Sequence, residues 1–122
     1  MTNIKTALVL GASTKPERYS NKAIVMLRDH GYPVKAIARR DGSVRDVDFD
    51  TTFVEYQDID TITMYLGEKN QQDYEDYILS LKPNRIIFNP GAENADLYNR
   101  AREQGIEVTN ACTLVMLSTG QY

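Results

Sequence analysis

The stretch Ile4-Lys5-Thr6-Ala7-Leu8-Val9-Leu10-Gly11-Ala12-Ser13 decides the fold. Its run to Leu10 is β-branched and apolar on both faces, as a strand buried in the middle of a parallel sheet must be. The break at Gly11-Ala12-Ser13 reads as a turn, with Ser20 or Asn21 capping the helix that follows. Strand, glycine turn and helix N-terminus bring backbone N–H groups and partial positive charge to one place, which makes an anion site. The next strand, residues 34–38, ends in Arg39-Arg40. A unit built for NAD wants Asp or Glu there for the ribose hydroxyls, whereas a basic residue suits a phosphate on the ribose. Together these features point to a phosphorylated adenine nucleotide and away from NAD.

Strand and helix patterns alternate through the rest of the chain. Ala23, Ile24, Leu27 and His30 fall on one helical stripe that Gly31 stops. Residues 61–66 read as the third main strand, residues 72–82 as a helix with Tyr74, Tyr77, Ile78 and Leu81 inward, and residues 85–88 as the fourth strand. Asn94 caps a third helix with Leu97, Tyr98 and Ala101 inward. Gly105 ends it, and residues 106–109 form the last strand before the apolar residues 114–117. In residues 41–60 the pattern is weak: Asp41-Gly42 marks a turn, and Val44, Val47 and Phe49 suit a short extended piece. The alternation predicts one α/β domain over residues 1–122, in three layers, with a central, mostly parallel five-stranded sheet. Right-handed crossovers put the first strand at its centre and the ligand crevice at the carboxyl ends of the strands.

Composition narrows the function classes. A net charge of −3 argues against a nucleic-acid or membrane-surface protein. One cysteine, Cys112, allows no internal disulfide. With one histidine besides, it makes a zinc site of those ligands implausible within one chain. The polar Met1-Thr2-Asn3 start and the absence of an apolar run of signal or membrane-spanning length read as cytoplasmic.

In such a fold the loops after the strands converge on one rim. The residues carried there are Gly11, Ala12, Ser13, Arg18, Ser20 and Asn21 after the first strand, and Arg39 and Arg40 after the second. Gly67 and Lys69 follow the third, and Asn89, Pro90 and Gly91 the fourth. Gly11 lets the backbone approach a pyrophosphate, Ser13, Ser20 and Asn21 can donate to its oxygens, and the arginines supply charge-assisted contacts. Each feature alone has an ordinary structural reading as a turn or a solvated strand end. Their convergence on one rim carries the functional reading.

These residues also carry a resemblance. Val9-Leu10-Gly11-Ala12-Ser13, Pro16-Glu17-Arg18-Tyr19-Ser20-Asn21 and Ala23 resemble the opening of the small stand-alone CoA-binding domain proteins. Those are similar in turn to the CoA-binding domain of the succinyl-CoA synthetase alpha subunit. Gly31-Tyr32-Pro33-Val34, Asn89-Pro90-Gly91-Ala92-Glu93-Asn94, Gly105-Ile106-Glu107-Val108 and Cys112-Thr113-Leu114-Val115-Met116-Leu117 extend the likeness over nearly the whole chain. It implies a Rossmann-like fold, with the diphosphate of coenzyme A or an acyl-CoA on the first loop and its 3′-phosphate ribose near Arg39-Arg40. The chain departs from the family over residues 41–60. It also departs after the third strand, where Tyr65-Leu66-Gly67-Glu68-Lys69 replaces the Phe-Arg-x-Pro-like segment of many relatives.

Other signals carry less. Tyr65 and Lys69 have the spacing of a dehydrogenase pair, but Gly67 and the strand end intervene. His30 sits at the helix end pointing away from the rim. Cys112 reads as a small buried apolar residue, although a thiol near the pantetheine end can form a mixed disulfide with CoA. Tyr122 is expected to be disordered or set against a partner. With no acid–base pair, no nucleophile beside a base and no metal cluster, the sequence reads as a CoA-binding module without its own chemistry. It would work alone, as a homodimer or with a partner enzyme chain. The alternatives are an NADP-dependent oxidoreductase or other nucleotide-binding enzyme, and an interaction protein with a vacant pocket.

Overall fold

Ala7, Leu8, Val9 and Leu10 are fully shielded from solvent, and that double-sided burial makes β1 (Thr6–Leu10) the centre of the sheet. Leu8, Val9 and Leu10 each contribute roughly 1.5–3 kcal/mol by leaving water. The computed structural model describes residues 5–122, so Ile4 of the expected strand and the Met1-Thr2-Asn3 start lie outside the described residues.

In chain order the elements are β1, α1 (Tyr19–Asp29), β2 (Val34–Ile37), β3 (Ser43–Val44), β4 (Val47–Asp50) and β5 (Ile59–Met64). Then come α2 (Glu68–Gln71), a 3-10 turn (Gln72–Tyr74), α3 (Glu75–Ser80), β6 (Arg85–Phe88), α4 (Ala95–Glu103), β7 (Glu107–Asn110) and α5 (Thr113–Ser118). The sheet has seven strands in the order β3-β4-β2-β1-β5-β6-β7, not the expected five. All neighbours are parallel except β3 and β4, which form an antiparallel hairpin. Both added strands come from residues 41–60. Val44, Val47 and Phe49 turn inward there, while the hairpin turn takes Arg45 into the left-handed region at φ 56°. Arg28 and Asp46 pair at 2.8 Å and Arg45 and Asp29 at 2.9 Å, fastening the hairpin to α1. The Arg28 hydrogen bonds hold the Asp46 carboxyl below the usual carboxylate range.

Two apolar layers flank the sheet. On one side α1 and α5 set Ile24, Leu27 and Leu117 against Ala7, Val9 and Ala36. On the other, α3 and α4 set Ile78, Leu79, Leu97 and Ala101 against Leu8, Leu10, Ile62 and Phe88. The strand order reverses between β1 and β5, and a crevice opens there at the carboxyl edge.

Four local expectations are corrected. Neither Ser20 nor Asn21 caps α1: both lie inside its first turn, and Arg18 holds the cap position without a side-chain cap bond. The Asn21 amide instead donates to the Ser13 carbonyl at 2.9 Å. The helix expected over residues 72–82 begins earlier and breaks at the 3-10 turn. The Gln71 side chain leaves the helix surface there to donate to Leu66 O and Ala92 O, both at 2.7 Å. Tyr122 is not loose: it packs on Tyr32 with ring centroids 5.0 Å apart, and the Arg85 guanidinium lies over its ring. His30 is exposed at the end of α1 and not inward, its Nδ1 2.8 Å from the Met26 carbonyl. The Asn94 cap is as read, accepting from the Leu97 N–H at 3.1 Å.

Candidate functional site

Gly11 stands where β1 leaves the sheet, at φ 101°, a conformation that L side chains rarely adopt. A Cβ there would lie 3.2 Å from Leu66 and from the Tyr65 carbonyl carbon, so the loop after β1 runs flush against the loop after β5. Two adjoining clefts open on either side of this ridge, and Gly11, Ser13 and Lys15 line both.

The first cleft, about 290 Å³, is floored by apolar side chains, among them Leu10, Ile37, Phe49, Leu66 and Tyr74. Arg39, Arg40 and Asp41 form its polar wall, with Ala12 beside them. The second, about 610 Å³, is shallower and runs past Arg18, Tyr19, Ser20, Tyr65 and Pro90. Among the described residues, Lys15, Arg18, Arg39 and Arg40 take part in no ion pair, so the rim is net positive on a chain that is net acidic, although Asp41 and Glu17 also line it. An apolar slot walled by arginines suits a flat base carrying a phosphate, and the open groove suits an extended chain.

The hydrogen bonds revise the donor set expected of the first loop. The N–H groups of Gly11 and Ala12 both donate to the Ile37 carbonyl at 3.0 Å, which ties the loop to β2 and uses those donors up. Among the described residues, nothing takes up the N–H groups of Ser13 and Thr14, and the start of α1 has no side-chain acceptor. The donors left free in this loop are therefore those of the residues after the glycine. Ser13 Oγ accepts from the Lys15 N–H at 3.1 Å and keeps its own proton to donate. Replacing Gly11 by alanine is expected to cost about 1–2 kcal/mol of stability through the left-handed backbone alone. The crowding against Leu66 adds to that by lifting the ridge. Urea denaturation read beside ligand affinity checks it, and an unchanged midpoint would mean that the loop is not held as described.

The rim reading brings Gly11, Ala12, Ser13, Arg39 and Arg40 together in the first cleft, and Arg18, Ser20 and Pro90 in the second. Five residues read onto the rim line neither, among them Lys69, which is exposed on α2. Asn21 lies behind the loop it fastens. Gly67 holds the cap position before α2. A Cβ there would meet only the Gly91 carbonyl oxygen, at an ordinary 4.0 Å, and one on Gly91 would meet nothing within 4 Å, so neither glycine is required by a close approach of the loops after β5 and β6. Asn89 is buried and spent within the protein: its amide donates to Thr63 Oγ1 at 2.8 Å and Met64 O at 2.9 Å, and its oxygen accepts from the Thr113 N–H at 2.8 Å. Cys112 is half-buried at the start of α5 and lines neither cleft.

The sequence reading passed over Lys15, Phe49 and Tyr74. Lys15 was legible, because it follows Ser13-Thr14 inside the first loop. Phe49 and Tyr74 reach the cleft only through the hairpin and the 3-10 turn. Tyr65 was read only as half of a dehydrogenase pair, yet its ring lines the second cleft. Its hydroxyl is the one buried side-chain polar atom without a hydrogen-bond partner among the described residues. Burial pushes its pKa up to about 12, against the opposing pull of the neighbouring Thr63 and Thr113 hydroxyls. No described helix is long and apolar enough to cross a membrane.

Comparison with known proteins gives this geometry its family. The family model described as CoA binding domain matches residues 5–118. A search of curated proteins finds no match. Among solved structures, an uncharacterized protein is 40% identical over 99% of this chain and 100% of its own, with a TM-score of 0.95. A hypothetical protein from Pyrococcus horikoshii OT3 is 24% identical over 95% of this chain and 82% of its own, at a TM-score of 0.83. The dinucleotide-forming acetyl-coenzyme A synthetase 1 of Ca. Korarchaeum cryptofilum shares the fold at 16% identity and a TM-score of 0.72, over 89% of this chain but 26% of that one. A basic rim at the switch point of a parallel sheet and a family match over almost the whole chain agree, and the chain belongs to the CoA-binding domain family.

Proposed function

We propose that this protein is a binding module for coenzyme A or an acyl-CoA and has no catalytic machinery of its own. The observation that carries the reading is the shape and charge of the paired clefts. An apolar slot edged by two unpaired arginines meets an open groove at a glycine ridge. CoA has the same three parts in the same order: an adenine ribose with a 3′-phosphate, a diphosphate, and an extended pantetheine chain.

In this reading the adenine lies on Phe49, Leu66 and Tyr74, where stacking and burial favour a flat ring. Arg39 and Arg40 take the 3′-phosphate through charge-assisted bonds. The diphosphate crosses the ridge at Ser13, where free N–H groups, the Ser13 hydroxyl and the Lys15 ammonium meet it, with the start of α1 behind. The pantetheine chain leaves past Pro90 and Tyr65 toward Arg18. Asn21, Asn89 and Gly11 act as positioning residues. The module serves as a cytoplasmic carrier or sensor of CoA, as a homodimer or beside a partner enzyme chain.

A ligand that binds only the folded state raises the melting temperature with its concentration. Thermal melts in rising CoA are therefore expected to shift upward steadily, while adenosine at the same concentrations moves them much less. Equal shifts with CoA and adenosine, or none with either, overturn the reading.

A further inference from the structure

The strongest unexplained feature is the Tyr65 hydroxyl. Two other half-buried phenols are satisfied: Tyr56 donates to Asp50, and Tyr77 donates to the Val54 carbonyl at 2.5 Å. Tyr65 lies beside the Thr63 and Thr113 hydroxyls, which bond each other at 2.7 Å, and neither of them meets the Tyr65 oxygen in hydrogen-bond geometry. Too little of the Tyr65 oxygen is accessible for water to bond it. A buried polar group without a partner costs stability, and phenylalanine would fill the same space without that cost. The ring, meanwhile, lines the second cleft together with Gly11, Ser13 and Pro90.

A side chain seated without a hydrogen bond can leave its seat without breaking one. Asn89, held by three, cannot. We infer that Tyr65 is a ligand-responsive specificity residue: it turns into the second cleft and donates its hydroxyl to a carbonyl of the chain that extends beyond the ligand's diphosphate. This deepens the CoA reading and rests on it. Pantetheine carries two amide carbonyls along that chain, so the partner is an amide oxygen and the hydroxyl is the donor. The group distinguishes ligands with a pantetheine arm from nucleotides that end at the phosphates. A site that leaves a polar group unsatisfied until the right ligand arrives discriminates against ligands lacking the matching group.

The test is Tyr65→Phe in the full chain, titrated calorimetrically with CoA and with adenosine 3′,5′-bisphosphate, which shares the nucleotide end and lacks the arm. CoA affinity is expected to fall roughly five- to tenfold, the worth of one hydrogen bond. Affinity for the bisphosphate is expected to move less than twofold. The melting temperature of the ligand-free variant is expected to stay level or rise, which a hydroxyl with a structural role would not permit. Unchanged CoA affinity overturns the inference, as does an equal loss for both ligands or a lowered melting temperature without loss of affinity. If the unsubstituted protein binds neither ligand, the CoA reading itself fails and takes the inference with it. If it binds both and the variant behaves identically, only the role of Tyr65 fails.

Discussion

Replacing Arg39 and Arg40 together by alanine is expected to weaken CoA binding roughly thirtyfold, and to change the binding of dephospho-CoA by less than a factor of about three. Both guanidinium groups edge the first cleft, both are exposed, and neither has a carboxylate partner among the described residues. Hydrogen bonds to charged groups contribute about 1.5–3 kcal/mol each when well formed. At an exposed rim, solvent and salt reduce them, so the pair together is taken at about 2 kcal/mol. Because exposed side chains without partners support little of the fold, the melting temperature should hold within about a degree. Raising the salt concentration should weaken CoA binding to the unsubstituted protein more than to the variant. Calorimetric titration of both proteins with both ligands at two ionic strengths checks this. Equal losses for CoA and dephospho-CoA would place the 3′-phosphate elsewhere.

Asn89→Ala is expected to remove about 3 kcal/mol of stability and about 10 °C of melting temperature, whether or not CoA is present. Asn89 is 2% exposed and joins three elements: β5 through Thr63 and Met64, β6 through its own backbone, and α5 through the Thr113 N–H. Truncation leaves the Thr113 N–H buried without a partner, at a cost of about 1–3 kcal/mol, and removes the side-chain bonds to Thr63 and Met64, whose carbonyl keeps only the Asn89 N–H at 3.3 Å. Urea denaturation measures the loss. A change below about 1 kcal/mol would show that water replaces the amide and that the joint is not structural.

The sequence carried the parts of this fold that depend on long, uninterrupted periodicity. β1 was legible because it is apolar on both faces, and α4 because a capping Asn94 and a stopping Gly105 bracket its stripe. β3 and β4 were legible only as one short extended piece at Val44, Val47 and Phe49 and not as two strands of the sheet, since they are short and the charged turn at Arg45-Asp46 separates those inward residues. The helical stripe of Tyr74, Tyr77, Ile78 and Leu81 does pack on the core as read. Its break at residues 72–74 was hidden, because it accompanies a tertiary contact of Gln71 across two loops. At the site, glycines and arginines were legible by position after strands. The uses of the asparagines were not: Asn21 and Asn89 look like ligand donors in sequence and serve as internal ties, because their partners are backbone groups supplied by distant elements. Tyr65 shows the reverse, since only three-dimensional packing reveals a hydroxyl without a partner.

Parallel calorimetric titration with CoA, dephospho-CoA, NADP and NAD tests the central claim most directly. CoA is expected to bind tightest, dephospho-CoA to be weakened by loss of the 3′-phosphate, and both nicotinamide nucleotides to bind more weakly than CoA. Tightest binding by NADP, or no heat from any of the four, would contradict it.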